Sequence, residues 1–177
     1  MTSHKIRGRV WKFGDNVDTD QIIPAKYCNS FQPELLAPHV MEGADQDFAR
    51  RIAPGDIIVA GHNFGCGSSR EAAPIAIAAA GIGAVIAHSF ARLFFRNAVN
   101  IGLRVLVSPS ASEGTKSGDE LEIDVAGGII HSRSTGLVYQ FKHYSGIVQE
   151  IMGAGGMVGY VKARLDAEHR KPRECAK

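Results

Sequence analysis

A glycine- and serine-rich segment, residues 61–71, combines residue types that can bind a small anion and act on it. It reads Gly-His-Asn-Phe-Gly-Cys-Gly-Ser-Ser-Arg-Glu. Glycines allow sharp turns and close approach of the backbone to a ligand. Serine hydroxyls can take part in proton transfer when activated, and the guanidinium of Arg70 can bind a carboxylate through two parallel hydrogen bonds. The segment therefore predicts a site for a carboxylate or phosphate, centred on Ser68, Ser69 and Arg70.

The same residues also allow a structural interpretation. Ser68 and Glu71 have the spacing of a capping box at the start of a helix. The unpaired amide groups of such a helix start would themselves attract an anion. Familiar motifs do not fit: no Gly-Lys-Ser/Thr follows, Arg70 replaces the third small residue of a dinucleotide fingerprint, and neither serine lies between glycines. The residues alone leave a helix cap and a chemically active serine as alternatives.

The flanking sequence predicts the elements that hold this segment. A short apolar strand precedes it, an alanine-rich helix follows it, and strands and helices then alternate, which indicates parallel strands joined by crossovers. After residue 118, a Gly-Gly turn predicts a hairpin and then a further strand. Predicted strands are 6–13, 57–60, 84–88, 103–107, 120–125, 129–133 and 136–141; predicted helices are 45–52, 70–80, 90–100 and one beginning at Ser145, with a helical turn near 34–37 in a loop over 25–44. The pattern predicts one α/β domain over residues 1–165, with a parallel central part, antiparallel additions and a flexible tail over 166–177.

Composition narrows the function classes. The chain has 177 residues, of which 45% are hydrophobic and 21% charged, as in a globular domain, and its net charge of +2 is too small to indicate nucleic-acid binding. The sequence shows no signal peptide and no apolar run of membrane length, so we expect a cytoplasmic protein that does not bind membranes. Cys28, Cys66 and Cys175 lack the spacing of zinc or iron–sulfur ligands, so we expect no metal site on this chain.

Four blocks of sequence resemble the swivelling domain of the aconitase superfamily. They are residues 15–24 (Asp-Asn-Val-Asp-Thr-Asp-Gln-Ile-Ile-Pro), 63–71, 88–92 and 95–102. The likeness runs from about Val10 to Gly159 and is strongest to the separately encoded small subunits of the 3-isopropylmalate dehydratase and homoaconitase type. The resemblance implies a single swivelling domain with layers in the order β/β/α.

The resemblance also implies an activity and a partner. Such small subunits act in hydro-lyases that isomerise a 2-hydroxy acid by removing and re-adding water. A large subunit carries a [4Fe-4S] cluster and forms a heterodimer or heterotetramer with the small one. Carried over by position, Ser68 would be the base, Ser69 and Arg70 would bind a substrate carboxylate, and Asp20 would lie near the catalytic serine. The structural alternative for Asp20 is an Asx turn.

In this family the loop after the aspartate block selects the substrate's side chain, and here it consists of Tyr27, Cys28, Asn29 and Ser30. This loop contains no arginine to bind a third carboxylate. The resemblance therefore favours isopropylmalate or a methylated malate over homocitrate, and isopropylmalate, the substrate in leucine biosynthesis, is the hypothesis. A homoaconitase or methylmalate-type small subunit is the alternative within the family. A non-catalytic anion-binding module is the alternative outside it.

Overall fold

A seven-stranded sheet that mixes parallel and antiparallel neighbours forms the centre of the computed structural model, which describes residues 5–144 and 146–169. The strand order is β4-β3-β2-β1-β5-β6-β7. The pairs among β1 to β4 are parallel, and β5, β6 and β7 continue the sheet in antiparallel fashion. The predicted fold class is thereby confirmed. The strands are β1 (Lys5–Lys12), β2 (Ile57–Ala60), β3 (Ala84–Ala87), β4 (Val105–Val107), β5 (Glu120–Asp124), β6 (Ile129–Ser132) and β7 (Val138–Gln140).

Most of the described helices are short. They are α1 (Thr19–Ile22), α2 (Pro33–Leu36), α3 (Phe48–Arg51), α4 (Ala72–Ala79), α5 (Arg92–Ile101), α6 (Pro109–Gly114), α7 (Gly146–Gly153) and α8 (Met157–His169), with 3₁₀ turns at Ala25–Tyr27 and Ala37–His39. None of the helices within the described ranges is both long enough and apolar enough to cross a bilayer.

Two hydrophobic cores lie on opposite faces of the parallel strands, because successive side chains of a strand point to opposite faces. One face, which includes Ile58 and Val85, packs against the helices. The other face, which includes Ile57 and Ile86, packs against apolar side chains of the antiparallel strands, such as Leu121. The antiparallel half therefore covers the parallel half as a second β layer. This arrangement accounts for the β/β/α layering.

The two outermost strands, β4 and β7, meet at their ends. The amide of Lys142 donates to the Val107 carbonyl at 2.9 Å, and the Ser108 hydroxyl donates to the Gln140 carbonyl at 2.6 Å. The Tyr144 hydroxyl donates to a β4 carbonyl at 2.8 Å, and burial raises the pKa of this tyrosine to about 12. These bonds hold the second β layer against the first.

Two helices were absent from the sequence prediction. α1 begins in the segment interpreted as a loop, and α6 follows the strand predicted at 103–107. The C-terminal helical region breaks between Gly153 and Met157. Of the predicted tail, residues 166–169 continue α8, whereas 170–177 and the predicted cap Ser145 lie outside the described residues.

A buried carboxylate joins β1 to the turn before β2. Asp56 is 5% exposed and accepts hydrogen bonds from the Arg9 amide, the Ala53 amide and the indole of Trp11, at 2.7 to 3.1 Å. We expect Asp56→Ala to lower the free energy of unfolding by about 3 kcal/mol, because it leaves these donors without an acceptor. Urea denaturation measures the change. The exposed Asp47→Ala is the control, and a loss no greater than the control's would contradict the expectation.

Candidate active site

Three loops continue the parallel sheet beyond the carboxyl ends of β1, β2 and β3. The loop after β2 lies in the middle, where Gly65 donates to the Val17 carbonyl at 2.7 Å and Phe64 donates to the Ser89 carbonyl at 3.0 Å. Isolated bridges join Asp18 to Cys66 and Phe64 to Phe90 in the same parallel sense. The glycine- and serine-rich segment is thereby held by main-chain bonds on both sides. Ligands of open α/β sheets commonly bind at this edge.

Gly65 is required by its surroundings. Its φ of +79° lies in the left-handed region, and a Cβ atom there would come within 2.2 Å of the Phe94 ring. Phe94 packs in turn on Phe64 and Phe90, with ring centroids 5.2 and 6.3 Å apart. This close contact between the loop and α5 positions the following segment, which carries Ser68.

A capped helical turn brings Thr19 against Ser68. Asp18 and Gln21 form a capping box at the start of α1: the Asp18 carboxylate accepts from the Gln21 amide at 2.7 Å, and the Gln21 side chain accepts from the Asp18 amide at 2.9 Å. Thr19 is 2% exposed, and its hydroxyl donates to the Ser68 carbonyl at 3.2 Å. The hydroxyl oxygens of Thr19 and Ser68 are 3.4 Å apart. Ser68 and Ser69 are both exposed.

Arg70 and Asp20 form a two-pronged ion pair. Nη1 and Nη2 of Arg70 donate to the two carboxylate oxygens of Asp20 at 2.5 and 3.1 Å, and Nη1 also lies 3.5 Å from the Ile23 carbonyl. This guanidinium holds the pKa of Asp20 below its usual value, and Asp20 raises the pKa of Arg70. The Arg70 side chain is 21% exposed. Among the residues that the structure describes, no hydrogen bond is formed by Nε, one of the donors of this side chain.

The structure decides between the two interpretations of Ser68 as far as the helix cap is concerned. Helix α4 begins at Ala72, its N-cap is Glu71, and no side chain caps it, so Ser68 and Glu71 do not form a capping box. Ser68 lies in the preceding loop, in which Gly65 and Gly67 both have positive φ. The Asp20 carboxylate faces Arg70, and the neighbouring Thr19 contacts Ser68 instead.

The predicted selectivity segment, residues 27–30, lies beside the ion pair. Its first residue, Tyr27, ends the 3₁₀ turn at Ala25–Tyr27, and Cys28 follows as the C-cap of that turn. Cys28 donates to the Pro24 carbonyl, with sulfur and oxygen 3.8 Å apart. Asn29 is exposed, and Ser30 accepts from the Gln32 amide at 3.1 Å.

Two contributors were missed by sequence reasoning. The first is Thr19. The Asp-x-x-Gln spacing of residues 18 and 21 is a helix-start signal, and this signal places Thr19 in the first turn of a helix. The second is Glu42, whose carboxylate accepts a hydrogen bond from the Tyr27 hydroxyl at 2.9 Å. No local signal marks Glu42, because its partners come from separate turns.

The residues present do not fit a metal cluster. Cys28 and Cys66 are free, half-buried thiols. Within residues 5–144 and 146–169, no group of three or more His, Cys, Asp and Glu side chains is arranged to hold a metal ion. Cys175 lies outside the described residues.

The family profile of the aconitase C-terminal domain matches residues 39–110. This match covers the chain from α3 to β4 and includes the loop from Gly61 to Glu71. Fold and site together define an aconitase-type α/β domain with an exposed Ser-Ser-Arg loop at the carboxyl edge of its parallel strands.

Curated relatives match nearly the whole chain. The 3-isopropylmalate dehydratase small subunit of Thermodesulfovibrio yellowstonii is 56% identical over 94% of this chain and 99% of its own length, and that of Aquifex aeolicus is 55% identical over 91% and 96%. The chain belongs to the family of 3-isopropylmalate dehydratase small subunits. A crystal structure of a Methanocaldococcus jannaschii 3-isopropylmalate dehydratase superposes with a TM-score of 0.90 at 46% identity, covering 94% of this chain and 99% of that one.

Proposed function

We propose that this chain is the small subunit of a hydro-lyase that isomerises 2-isopropylmalate to 3-isopropylmalate, a step of leucine biosynthesis, together with a large subunit. The names of its relatives support this proposal, since a small subunit implies a large one. The observation that carries it is the geometry of the Ser68–Arg70 loop. This loop presents exposed serines and a half-buried arginine at the edge where a second protein can close over them.

The reaction requires a base and a carboxylate anchor. The base takes a proton from the methylene carbon beside one carboxylate, and the electron pair of that C–H bond forms a carbon–carbon double bond. The C–O bond breaks and the hydroxyl leaves as hydroxide, which together with the abstracted proton makes up the water removed. Water then returns with the hydroxyl on the former methylene carbon and the proton on the carbon that carries the isopropyl group. The dehydration therefore needs a group that accepts a proton from carbon, and the rehydration needs a group that donates a proton to carbon.

Ser68 is proposed as this base, and Arg70 and Ser69 as ligands of a substrate carboxylate. A serine hydroxyl is a weak base until its anion is stabilised. The Thr19 hydroxyl 3.4 Å away orients Ser68, and exclusion of water by the large subunit would strengthen the attraction between the serine anion and the Arg70 guanidinium. Asp20 fixes the guanidinium through its Nη1–Nη2 edge, so the Nε–Nη2 edge faces the substrate carboxylate.

The proposed cofactor belongs to the large subunit. A [4Fe-4S] cluster there would supply the Lewis acid that binds the substrate hydroxyl. The small subunit's residues would act on the opposite side, where they bind a carboxylate and move the proton. A heterodimer or heterotetramer is the proposed assembly.

A methylmalate substrate is the second candidate, and one relative favours it. The Methanocaldococcus jannaschii protein that is 51% identical over 90% of this chain is named an isopropylmalate/citramalate isomerase small subunit. Homocitrate is disfavoured, since residues 27–30 provide no arginine for a third carboxylate.

Co-expression with the large subunit of the same organism tests the proposal. We expect the purified complex to convert 2-isopropylmalate, to act less efficiently on 2-methylmalate and to leave homocitrate unchanged. Either subunit alone should be inactive, because the base and the proposed Lewis acid lie on different chains. Chromatographic separation of the 2- and 3-hydroxy isomers measures the conversion.

The panel also separates the alternatives. Efficient conversion of 2-methylmalate alone would move the proposal to the second candidate. Failure of the reconstituted complex to convert any of the acids, with the cluster intact by its absorption spectrum, would contradict catalysis and leave a non-catalytic anion-binding module.

A further inference from the structure

Glu42 lies outside every motif described above, yet its carboxylate is the centre of a polar cluster. Oε1 accepts from the Tyr27 hydroxyl at 2.9 Å and from the Lys26 ammonium at 3.2 Å, and Oε2 bonds Nδ1 of His39 at 2.7 Å. The rings of Tyr27 and His39 stack with centroids 3.6 Å apart and planes 10° from parallel. Lys26 also lies over the Tyr27 ring, 4.6 Å from its centroid. One carboxylate therefore joins the start of the selectivity segment to the 3₁₀ turn at Ala37–His39.

The backbone on either side of Glu42 is bound to the helix that carries Asp20. The Met41 amide donates to the Ile22 carbonyl at 2.6 Å, and the Gly43 amide donates to the Gln21 carbonyl at 3.1 Å. A Cβ atom on Gly43 would come within 2.5 Å of the Asp20 carbonyl oxygen. Glu42 is therefore held at a nearly fixed position relative to the Asp20–Arg70 ion pair.

The contacts within the cluster also stabilise the charged forms of Glu42 and Lys26. His39, Tyr27 and Lys26 hold the pKa of Glu42 below its usual value, and Tyr27 and Glu42 raise the pKa of Lys26. The Glu42 side chain is 24% exposed, so solvent screens these contacts less than those of a fully exposed pair. The Glu42 carboxylate that joins the other three side chains is therefore ionised at neutral pH.

We propose that Glu42 is a positioning residue that determines substrate selectivity by holding residues 27–30 at a fixed distance from Arg70. The proposal rests on the proposed function, in which Arg70 binds a carboxylate and residues 27–30 form the wall that faces the substrate's alkyl group. Glu42 itself does not touch the substrate. It acts through Tyr27, whose backbone leads directly into Cys28 and Asn29.

The test compares the selectivity of variants in the reconstituted complex. The measured quantity is the ratio of kcat/KM for 2-isopropylmalate to that for 2-methylmalate, which differ only in the size of the alkyl group. In Glu42→Ala we expect this ratio to fall about tenfold, the effect of a poorly defined apolar wall. Glu42→Gln keeps an oxygen for Tyr27 and should retain most of the ratio. Glu122→Ala, which removes the ion pair with Lys5 on β1, is the matched control and should leave it unchanged.

A second readout does not depend on turnover. Hydrogen–deuterium exchange on the isolated chain should show faster exchange of residues 25–30 in Glu42→Ala than in wild type or Glu122→Ala. An unchanged selectivity ratio in Glu42→Ala would overturn the proposal, as would an equal loss of kcat/KM for both acids or unchanged exchange. An inactive wild-type complex would count against the proposed function, while the exchange result would still decide whether Glu42 holds the segment.

Discussion

Ser68→Ala in the reconstituted complex is expected to lower kcat by on the order of 10³-fold, within the range of a lost general base. KM should change little, because the carboxylate contacts assigned to Arg70 and Ser69 remain. Ser68 is exposed and its side chain approaches only the Thr19 hydroxyl among the described contacts, at 3.4 Å. The variant should therefore keep the fold and the affinity for the large subunit.

Steady-state kinetics measure this effect, while thermal unfolding and gel filtration with the large subunit check the fold and the assembly. Ser110→Ala is the matched control, since Ser110 is also exposed but lies on α6. The control should retain full activity. Activity of Ser68→Ala within a few-fold of wild type would remove this serine from the mechanism.

Arg70→Lys is expected to lower kcat/KM by about 10- to 100-fold, the effect of losing one charge-assisted hydrogen bond of about 1.5–3 kcal/mol. Most of the change should appear in KM. The guanidinium binds Asp20 with two nitrogens, and its second edge is the one proposed to bind the substrate, whereas an ammonium cannot present two planar pairs of donors. A lysine would therefore have to divide its contacts between Asp20 and the substrate carboxylate.

Arg50→Lys provides the comparison, because Arg50 also pairs with an aspartate, Asp47, but both side chains are exposed. This variant should keep the kcat/KM of the wild type.

Asp20→Asn should raise KM less than Arg70→Lys does, and the double variant should show strong non-additivity, since both changes affect one ion pair. Because Arg70 depresses the pKa of Asp20, the pair is present above the usual carboxyl pKa and is lost only at more acidic pH, so the effects should be flat around neutrality. Additive single effects would show that Asp20 does not act through Arg70.

Local signals predicted the parallel strands and the hairpin well, but they missed α1 and did not settle the cap of α4. The alternation of β2 and β3 with alanine-rich and amphipathic helices is a periodic pattern, and burial of both faces of those strands enforces it. At α4, the predicted range of 70–80 lies within two residues of the observed helix, but Ser68 does not cap that helix as the Ser-x-x-Glu spacing allowed. Gly65 and Gly67 both have positive φ, and Gly65 packs on Phe94, so these residues belong to a loop before the helix.

The sequence by itself determined the order of the strands and helices, the likeness to aconitase-type small subunits and the residue types of the site, because periodicity, turn residues and motifs are local properties of a chain. Only the tertiary structure decided that the Asp20 carboxylate binds Arg70, fifty residues away, and that Thr19 rather than Asp20 contacts Ser68. It alone placed Glu42 against Tyr27. Such contacts depend on where separate loops converge at the edge of a folded sheet, and local sequence patterns do not specify contacts between residues that are far apart in the chain.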